Sequence, residues 1–123
     1  MTGLSHVQLM VTDVPASARW YAEALGLEPY AEDPGVGYVA LRHRGSGMVV
    51  VLTSGAGAGR RGSLDHLAFA VPDGDALSWW ADHLSRIGID HEGVVLENGN
   101  PSLHLRDPDG NAIELVAPGH RGS

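Results

Sequence analysis

The 123-residue chain contains no cysteine and no lysine, and its eight basic residues are all arginines. Disulfide bonds, thiolate metal ligands and cysteine nucleophiles are therefore excluded, and so is Schiff-base chemistry on lysine. No apolar run approaches the roughly 18 residues that cross a membrane, and no signal peptide precedes the first strand pattern. We therefore expect a cytoplasmic protein without membrane partners.

Positive charge is scarce as well, because the formal net charge is −7 at pH 7. Nucleic acids and anionic membrane surfaces are bound by clustered basic side chains, so we expect neither as a partner. The chain does have a hydrophobic content of 43%, which is enough for the core of a domain of this length. A single domain over residues 1–123 is predicted.

The two halves of the chain repeat one pattern. The segment from His6 to Asp13 matches the segment from His66 to Asp73 at an offset of 60, which also places Trp20 on Trp80. This similarity predicts an internal duplication of a βαβββ unit. The fold class is therefore predicted to be α+β, with module one at about residues 4–54, a glycine-rich linker at about 55–62 and module two at about 63–118.

Periodicity and turn residues predict the elements within each module. Asp13 and Gly26 are the expected cap residues of the first helix, and Gly88 is expected to end the second. The strands are predicted at residues 7–11, 37–41, 48–53, 64–71, 93–96, 102–106 and 112–116, with one more short strand near 27–31. A glycine pattern in the linker resembles a nucleotide-binding loop, but no helix follows it, so we interpret it as a flexible linker.

Three side chains are candidate metal ligands. Because side chains alternate along a strand, His6 and His66 point away from the core-facing residues of their strands. Glu114 lies in an apolar strand, where an unpaired carboxylate is costly. Two imidazoles and one carboxylate can hold Fe(II), Mn(II), Zn(II) or Ni(II) and leave positions open for substrate or water. Alternatively, the histidines are satisfied polar side chains and Glu114 faces water.

Sequence motifs throughout the chain also carry a family resemblance. They are Ser5-His6-Val7-x-Leu9-x-Val11-x-Asp13, Asp65-His66-Leu67-Ala68-Phe69 and Asp107-Pro108-Asp109-Gly110-Asn111-x-x-Glu114-Leu115. On these motifs, residues 4–118 resemble the vicinal oxygen chelate superfamily, which includes glyoxalase I, extradiol dioxygenases and bleomycin-resistance proteins. The resemblance implies a cupped mixed sheet with helices outside, a homodimer, and one divalent metal ion (Fe, Mn, Ni or Zn) bound by the three candidate ligands. It also implies a small-molecule substrate that chelates the metal through vicinal oxygens.

Departures from the known subfamilies leave the reaction open. Glyoxalase I and methylmalonyl-CoA epimerase carry a fourth ligand where this chain has Val51, and extradiol dioxygenases have a tyrosine at the position of His104. Fosfomycin-type transferases depend on a lysine, which the chain lacks. Bleomycin-resistance proteins typically lack the metal residues. We therefore predict a metal-dependent enzyme, with a ligand-sequestering protein of the same fold as the alternative.

The remaining site residues follow from strand parity. Gln8 shares a face with His6, and Tyr38 is placed at the mouth of the pocket, so both are predicted to bind substrate. His104 is predicted to act as a general acid or base if its strand pairs beside that of Glu114. The alternative for His104 is a rim histidine bonded to water. Arg42 also lies near the mouth, where it is expected to be a solvated hairpin end.

Overall fold

The structure is a computed structural model that describes residues 1–33, 35, 37–55, 64–97 and 99–118. The chain divides into unit 1, Met1–Arg60, and unit 2, Arg61–Ser123. Nearly all of the predicted glycine-rich linker lies outside the described residues. Among the described residues, no helix is long and apolar enough to cross a membrane.

Unit 1 has the predicted order of one strand, one helix and three further strands. Its elements are β1 (Val7–Val11), α1 (Val14–Leu25), β2 (Glu28–Asp33), β3 (Tyr38–Arg42) and β4 (Val49–Ser54). The sheet order is β1-β4-β3-β2, in which β1 and β4 are parallel and the other pairs antiparallel. The core contains fully buried side chains from α1 and three strands, among them Val11, Tyr21, Leu41 and Leu52.

Both predicted ends of α1 are confirmed. Asp13 caps the helix because its Oδ1 accepts a hydrogen bond from the backbone N–H of Ala16 at 3.0 Å, and Pro15 occupies the first turn, where its missing N–H costs no hydrogen bond. Gly26 ends the helix with a φ of +70°, a left-handed conformation that favours glycine.

Unit 2 repeats this arrangement, which confirms the predicted α+β fold of two βαβββ modules. Its elements are β5 (His66–Ala70), α2 (Gly74–Arg86), β6 (Val95–Glu97), β7 (Asn100–Arg106) and β8 (Ala112–Val116). The sheet order is β5-β8-β7-β6, again with one parallel pair, β5 and β8. Leu77 and Leu84 of α2 are fully buried, as are Leu103 and Ile113 of the sheet.

Some element boundaries differ from the predictions. The predicted short strand near residues 27–31 is β2, which continues to Asp33, and β6 lies about two residues beyond the predicted strand at 93–96. His6 was predicted within the first strand, but it precedes β1, which begins at Val7. These differences arise because strand ends depend on partner strands, which periodicity does not identify.

The turn between β7 and β8 fixes the start of the last strand. The Asp107 side chain is buried, and its Oδ1 accepts hydrogen bonds from the backbone N–H groups of Asp109 at 3.0 Å and Asn111 at 2.8 Å. Its Oδ2 accepts a further bond from Asn111 Nδ2 at 2.9 Å. Aspartate favours such turns because its carboxylate can bind backbone N–H groups two or more residues further on. The turn therefore sets the position of Glu114, three residues after Asn111.

Candidate functional site

The Glu114 carboxylate is the centre of the candidate site. It lies in β8 between β5 and β7, where Glu114 pairs with Ala68 on one side and His104 on the other. Its side chain is only 13% exposed, its Oε2 lies 3.6 Å from His66 Nδ1, and its Oε1 lies 3.8 Å from His104 Nε2. A carboxylate with little access to water is thus flanked by two imidazoles on neighbouring strands.

The His66 ring has one nitrogen committed to an acidic neighbour. His66 Nδ1 donates a hydrogen bond to Asp65 Oδ2 at 2.8 Å, which leaves Nε2 as the nitrogen with a lone pair when the ring is neutral. The hydrogen bond to Asp65 and the charge of Glu114 raise the pKa of His66 above its ordinary value of 6.5. Both carboxylates favour the imidazolium, the form that carries the additional proton.

A second histidine–carboxylate pair lies on the other side of Glu114. His104 Nε2 lies 2.8 Å from Glu97 Oε2. Ligand atoms of Glu97, His104 and Glu114 all lie within 4.8 Å of one another, so these three side chains form a group that can hold a metal ion. Glu97 is not among the site residues predicted from the sequence. The hairpin formed by β6 and β7 was a signal that Glu97 could lie near His104. Its register, which decides which residues pair, was not evident from the sequence.

The donor chemistry of this cluster fits a divalent metal ion. Imidazole and carboxylate ligands suit Fe(II), Mn(II), Ni(II) and Zn(II). Histidines that bind metals usually donate their other ring N–H to a carboxylate or carbonyl, which fixes the tautomer and the ring orientation. His66 has such a partner in Asp65. The arrangement therefore offers cation ligands on both sides of Glu114, from His66 on one side and from His104 and Glu97 on the other.

Unit 1 differs from unit 2 at the corresponding positions. In unit 1 Val51 pairs with Gln8 and with Ala40, just as Glu114 pairs with Ala68 and His104 in unit 2. Val51 is therefore the counterpart of Glu114, in agreement with the sequence prediction. Ala40 is the counterpart of His104. Neither residue of unit 1 can bind a metal through its side chain.

The other predicted residues of unit 1 are placed as follows. His6 is exposed, and its Nδ1 forms a hydrogen bond with Ser5 Oγ at 3.0 Å. Gln8 is exposed and Tyr38 is half-buried. Arg42 was expected to be a solvated hairpin end, but it is half-buried, its Nε has no contact with solvent, and its guanidinium lies over the ring of Tyr30. The expectation failed because a shift in the register of β2 places an aromatic ring beside it.

The family follows from comparison with known proteins. Residues 3–115 match the model of the Glyoxalase/Bleomycin resistance protein/Dioxygenase superfamily. The chain belongs to this superfamily, as its motifs predict.

Relatives of the chain are found among curated dioxygenases. Biphenyl-2,3-diol 1,2-dioxygenase 3 from Rhodococcus globerulus is 30% identical over 117 residues, which cover 91% of this chain and 61% of the relative. The chain thus spans less than two thirds of that protein, and it spans 40% of a second curated relative, from Bacillus subtilis.

Solved structures give the same architecture. The crystal structure of a glyoxylase/bleomycin resistance protein/dioxygenase domain from Frankia sp. EAN1pec is 29% identical, with a TM-score of 0.83, and the match covers 98% of this chain and 99% of that one. A variant of the fosfomycin resistance protein FosX from Listeria monocytogenes, complexed with Mn(II), is 16% identical, with a TM-score of 0.79 and coverage of 98% and 95%. At this identity the likeness shows the fold alone.

Proposed function

We propose that this chain is a metal-dependent enzyme that acts on a small substrate presenting two vicinal oxygens. The observation that carries the proposal is the Glu114 carboxylate, which is 13% exposed and lies within 4 Å of imidazole nitrogens on both neighbouring strands. A carboxylate with so little hydration is stabilised by a cation or by charged hydrogen bonds. The His66 imidazole beside it supplies a further ligand of the kind that transition metals prefer.

The proposed ligands in unit 2 are Glu114 and His66, and His6 of unit 1 remains a ligand predicted from the sequence. A divalent ion bound there would act as a Lewis acid toward the two substrate oxygens. Asp65 holds His66 in the tautomer whose Nε2 can bind a metal. His66 can therefore bind the metal through Nε2 while its Nδ1 keeps the hydrogen bond to Asp65.

His104 is the proposed proton-transfer residue. Imidazole titrates near neutral pH, so it can both accept and donate a proton under ordinary conditions. Its Nε2 lies 2.8 Å from Glu97 Oε2, and a carboxylate beside an imidazole can orient the ring so that Nδ1 exchanges a proton with the substrate. Glu97 would thereby act on the substrate only through His104.

The relatives support this class of substrate. The Rhodococcus globerulus protein is a dioxygenase of biphenyl-2,3-diol, a compound with two adjacent hydroxyl groups, and the FosX variant is complexed with Mn(II). Vicinal oxygens can occupy two adjacent open positions of a metal bound by three protein side chains. We further propose Gln8 and Tyr38 as substrate-binding residues, a homodimer, and a cytoplasmic location.

Elemental analysis tests the metal site directly. We expect about one divalent metal ion per chain in protein purified without chelators, and its loss in both Glu114→Ala and His66→Ala. His6→Ala is expected to weaken retention, because the sequence predicts it as the third ligand. The matched control is Glu32→Ala, which removes an exposed carboxylate from β2 and should leave the metal content unchanged.

Catechol and phenol then test the substrate class. Catechol should perturb the spectrum of protein reconstituted with Fe(II), and phenol, which has a single oxygen, should not. A wild-type protein that takes up no Fe(II), Mn(II), Ni(II) or Zn(II) would contradict the proposal. Catechol binding of equal strength with and without metal would instead indicate a ligand-sequestering protein.

A further inference from the structure

Arg42 of unit 1 has an unusual environment for an arginine at the end of a strand. It is half-buried, and its Nε has no contact with solvent and no hydrogen-bond partner among the described residues. A buried donor without an acceptor is unfavourable, so native proteins seldom retain one without a reason. Arg42 lies in unit 1, and its environment is independent of the metal site proposed in unit 2.

The carboxylate directly across the sheet from Arg42 already has another partner. Glu28 of β2 pairs directly across from Arg42, a position from which oppositely charged side chains ordinarily interact. Its Oε2 instead accepts a hydrogen bond from Arg44 Nε at 2.5 Å. Among the described residues, therefore, no carboxylate pairs with Arg42.

A bulge in β2 places an aromatic ring beside the guanidinium. The register between β2 and β3 shifts between Pro29 and Ala31, so that Tyr30 is the additional residue. Arg42 Cζ lies 5.3 Å from the centre of the Tyr30 ring, within the range of a cation–π interaction. Bulges often redirect a side chain near a functional site. The ring of Tyr30 therefore lies beside a guanidinium whose Nε still lacks an acceptor among the described residues.

We propose that Arg42 and Tyr30 form a binding site for the carboxylate of a small aromatic acid. The planar fork of an arginine matches the two oxygens of a carboxylate, and the ring of Tyr30, which is 49% exposed, offers an apolar surface for stacking. Residues 1–60 contain five acidic and four basic side chains. The formal charge of this part of the chain is therefore close to zero, which favours binding of a monoanion over binding of a doubly charged phosphate.

Benzoate is the probe, and the Nε–H signal of Arg42 in a proton–nitrogen NMR spectrum is the readout. The full chain is treated with a chelator and dialysed first, so that failure of the metal proposal cannot affect the result. We expect a saturable shift of this signal at millimolar benzoate and little shift with benzyl alcohol. Inorganic phosphate should bind at least several-fold more weakly than benzoate.

Variants separate the site from general charge effects. Arg42→Met keeps the aliphatic stem and should weaken benzoate binding at least tenfold, as followed by the Tyr38 ring signals, whereas Tyr30→Leu should weaken it several-fold. Arg19→Met removes an exposed positive charge from α1 and should leave binding within twofold. Thermal unfolding of each variant establishes that it folds.

Three results would overturn the proposal. They are the absence of a saturable shift in the wild type, equal weakening by Arg19→Met and Arg42→Met, and equal responses to benzoate and phosphate. The Arg44→Gln variant gives an independent check. It releases Glu28 to pair with Arg42, so it should weaken benzoate binding, and the double variant Glu28→Gln/Arg44→Gln should restore it.

Discussion

At the scale of single residues, Asp65 determines which nitrogen of His66 remains for a ligand. The Asp65 carboxylate accepts the Nδ1 proton and raises the pKa of the imidazole, with a further contribution from Glu114. A metal ion competes with the proton for the ring, because only a neutral imidazole binds a metal. The same hydrogen bond therefore orients the ring for a metal and makes the metal-free protein sensitive to pH.

We predict that Asp65→Asn lowers the pKa of His66 toward 6.5, since it removes the largest of the causes that raise it. In the wild type the raised pKa stabilises the folded, metal-free chain. This contribution is fully present below pH 6.5, the ordinary value, and is lost as the pH rises through the raised pKa. NMR titration of the His66 ring measures the pKa, and urea unfolding on both sides of pH 6.5 measures the stability. An unchanged pKa in the variant would contradict this assignment.

Side-chain parity predicted much of the candidate site but not all of it. Alternation along the strands and the high cost of burying Glu114 together predicted His6, His66 and Glu114 as ligands, with His104 near them if its strand pairs beside that of Glu114. That pairing is present, and the partners of β8 are the strands of His66 and His104. Glu97 was missed because its contact with His104 depends on a hairpin register. Arg42 was misjudged because a bulge cannot be recognised from periodicity.

At the scale of elements, the turn from Asp107 to Asn111 is the main local determinant of β8. Asp107 accepts three hydrogen bonds within the turn. The Asp-Pro-Asp-Gly-Asn motif therefore closes the turn before β8, and this role explains why the motif is a useful signal for the strand that follows. A carboxylate at its first position closes the turn and aligns the strand that carries Glu114.

We predict that Asp107→Ala lowers the free energy of unfolding by about 3 kcal/mol, because it leaves several donors of a partly buried turn without an acceptor. Asp107→Asn retains one acceptor oxygen and should cost about 1 kcal/mol. Chemical denaturation at neutral pH measures both values. Equal decreases in the free energy of unfolding of the two variants would show that the backbone hydrogen bonds to Oδ1 do not account for the stability of the turn.

The end of α1 provides a second prediction. Gly26 has a φ of +70°, and a Cβ added there would meet nothing within 4 Å, so Gly26→Ala should cost about 1 kcal/mol through backbone conformation alone. Gly74, at the start of α2, has no positive φ and is equally open. Gly74→Ala is the matched control and should leave the stability unchanged or raise it by about 0.5 kcal/mol. Similar losses in both variants would contradict this explanation.

The sequence predicted the elements better than their ends. The cap Asp13, which was predicted, and the cap Asp73, which was not, both act locally, because each accepts a hydrogen bond from the N–H three residues later. The ends of β2 and β6 depend on pairing with neighbouring strands. Local signals therefore defined the helices within one or two residues, whereas strand ends required the structure.

At the scale of the whole molecule, two copies of one module have diverged in chemistry while keeping the same topology. The sheets have equivalent orders and equivalent parallel pairs. Unit 1 has Val51 and Ala40 where unit 2 has Glu114 and His104. The duplication could be recognised in the sequence because the two modules retain their capping and core positions. The same retained positions align the modules, and the alignment places Val51 at the position of Glu114, where the chemistry has diverged.

The metal proposal also predicts how the stability of the whole chain responds to a ligand. An ion that binds the folded but not the unfolded chain, at a concentration 100-fold above its dissociation constant, adds about 2.7 kcal/mol to the free energy of unfolding. For a chain of this size, that corresponds to a rise in Tm of about 10 °C. We expect this rise in the wild type on reconstitution, its reversal by a chelator, and its absence in Glu114→Ala. Glu32→Ala should behave as the wild type does, because its carboxylate is exposed in β2. A rise of the same size in Glu114→Ala would mean that the ion stabilises the chain at another place.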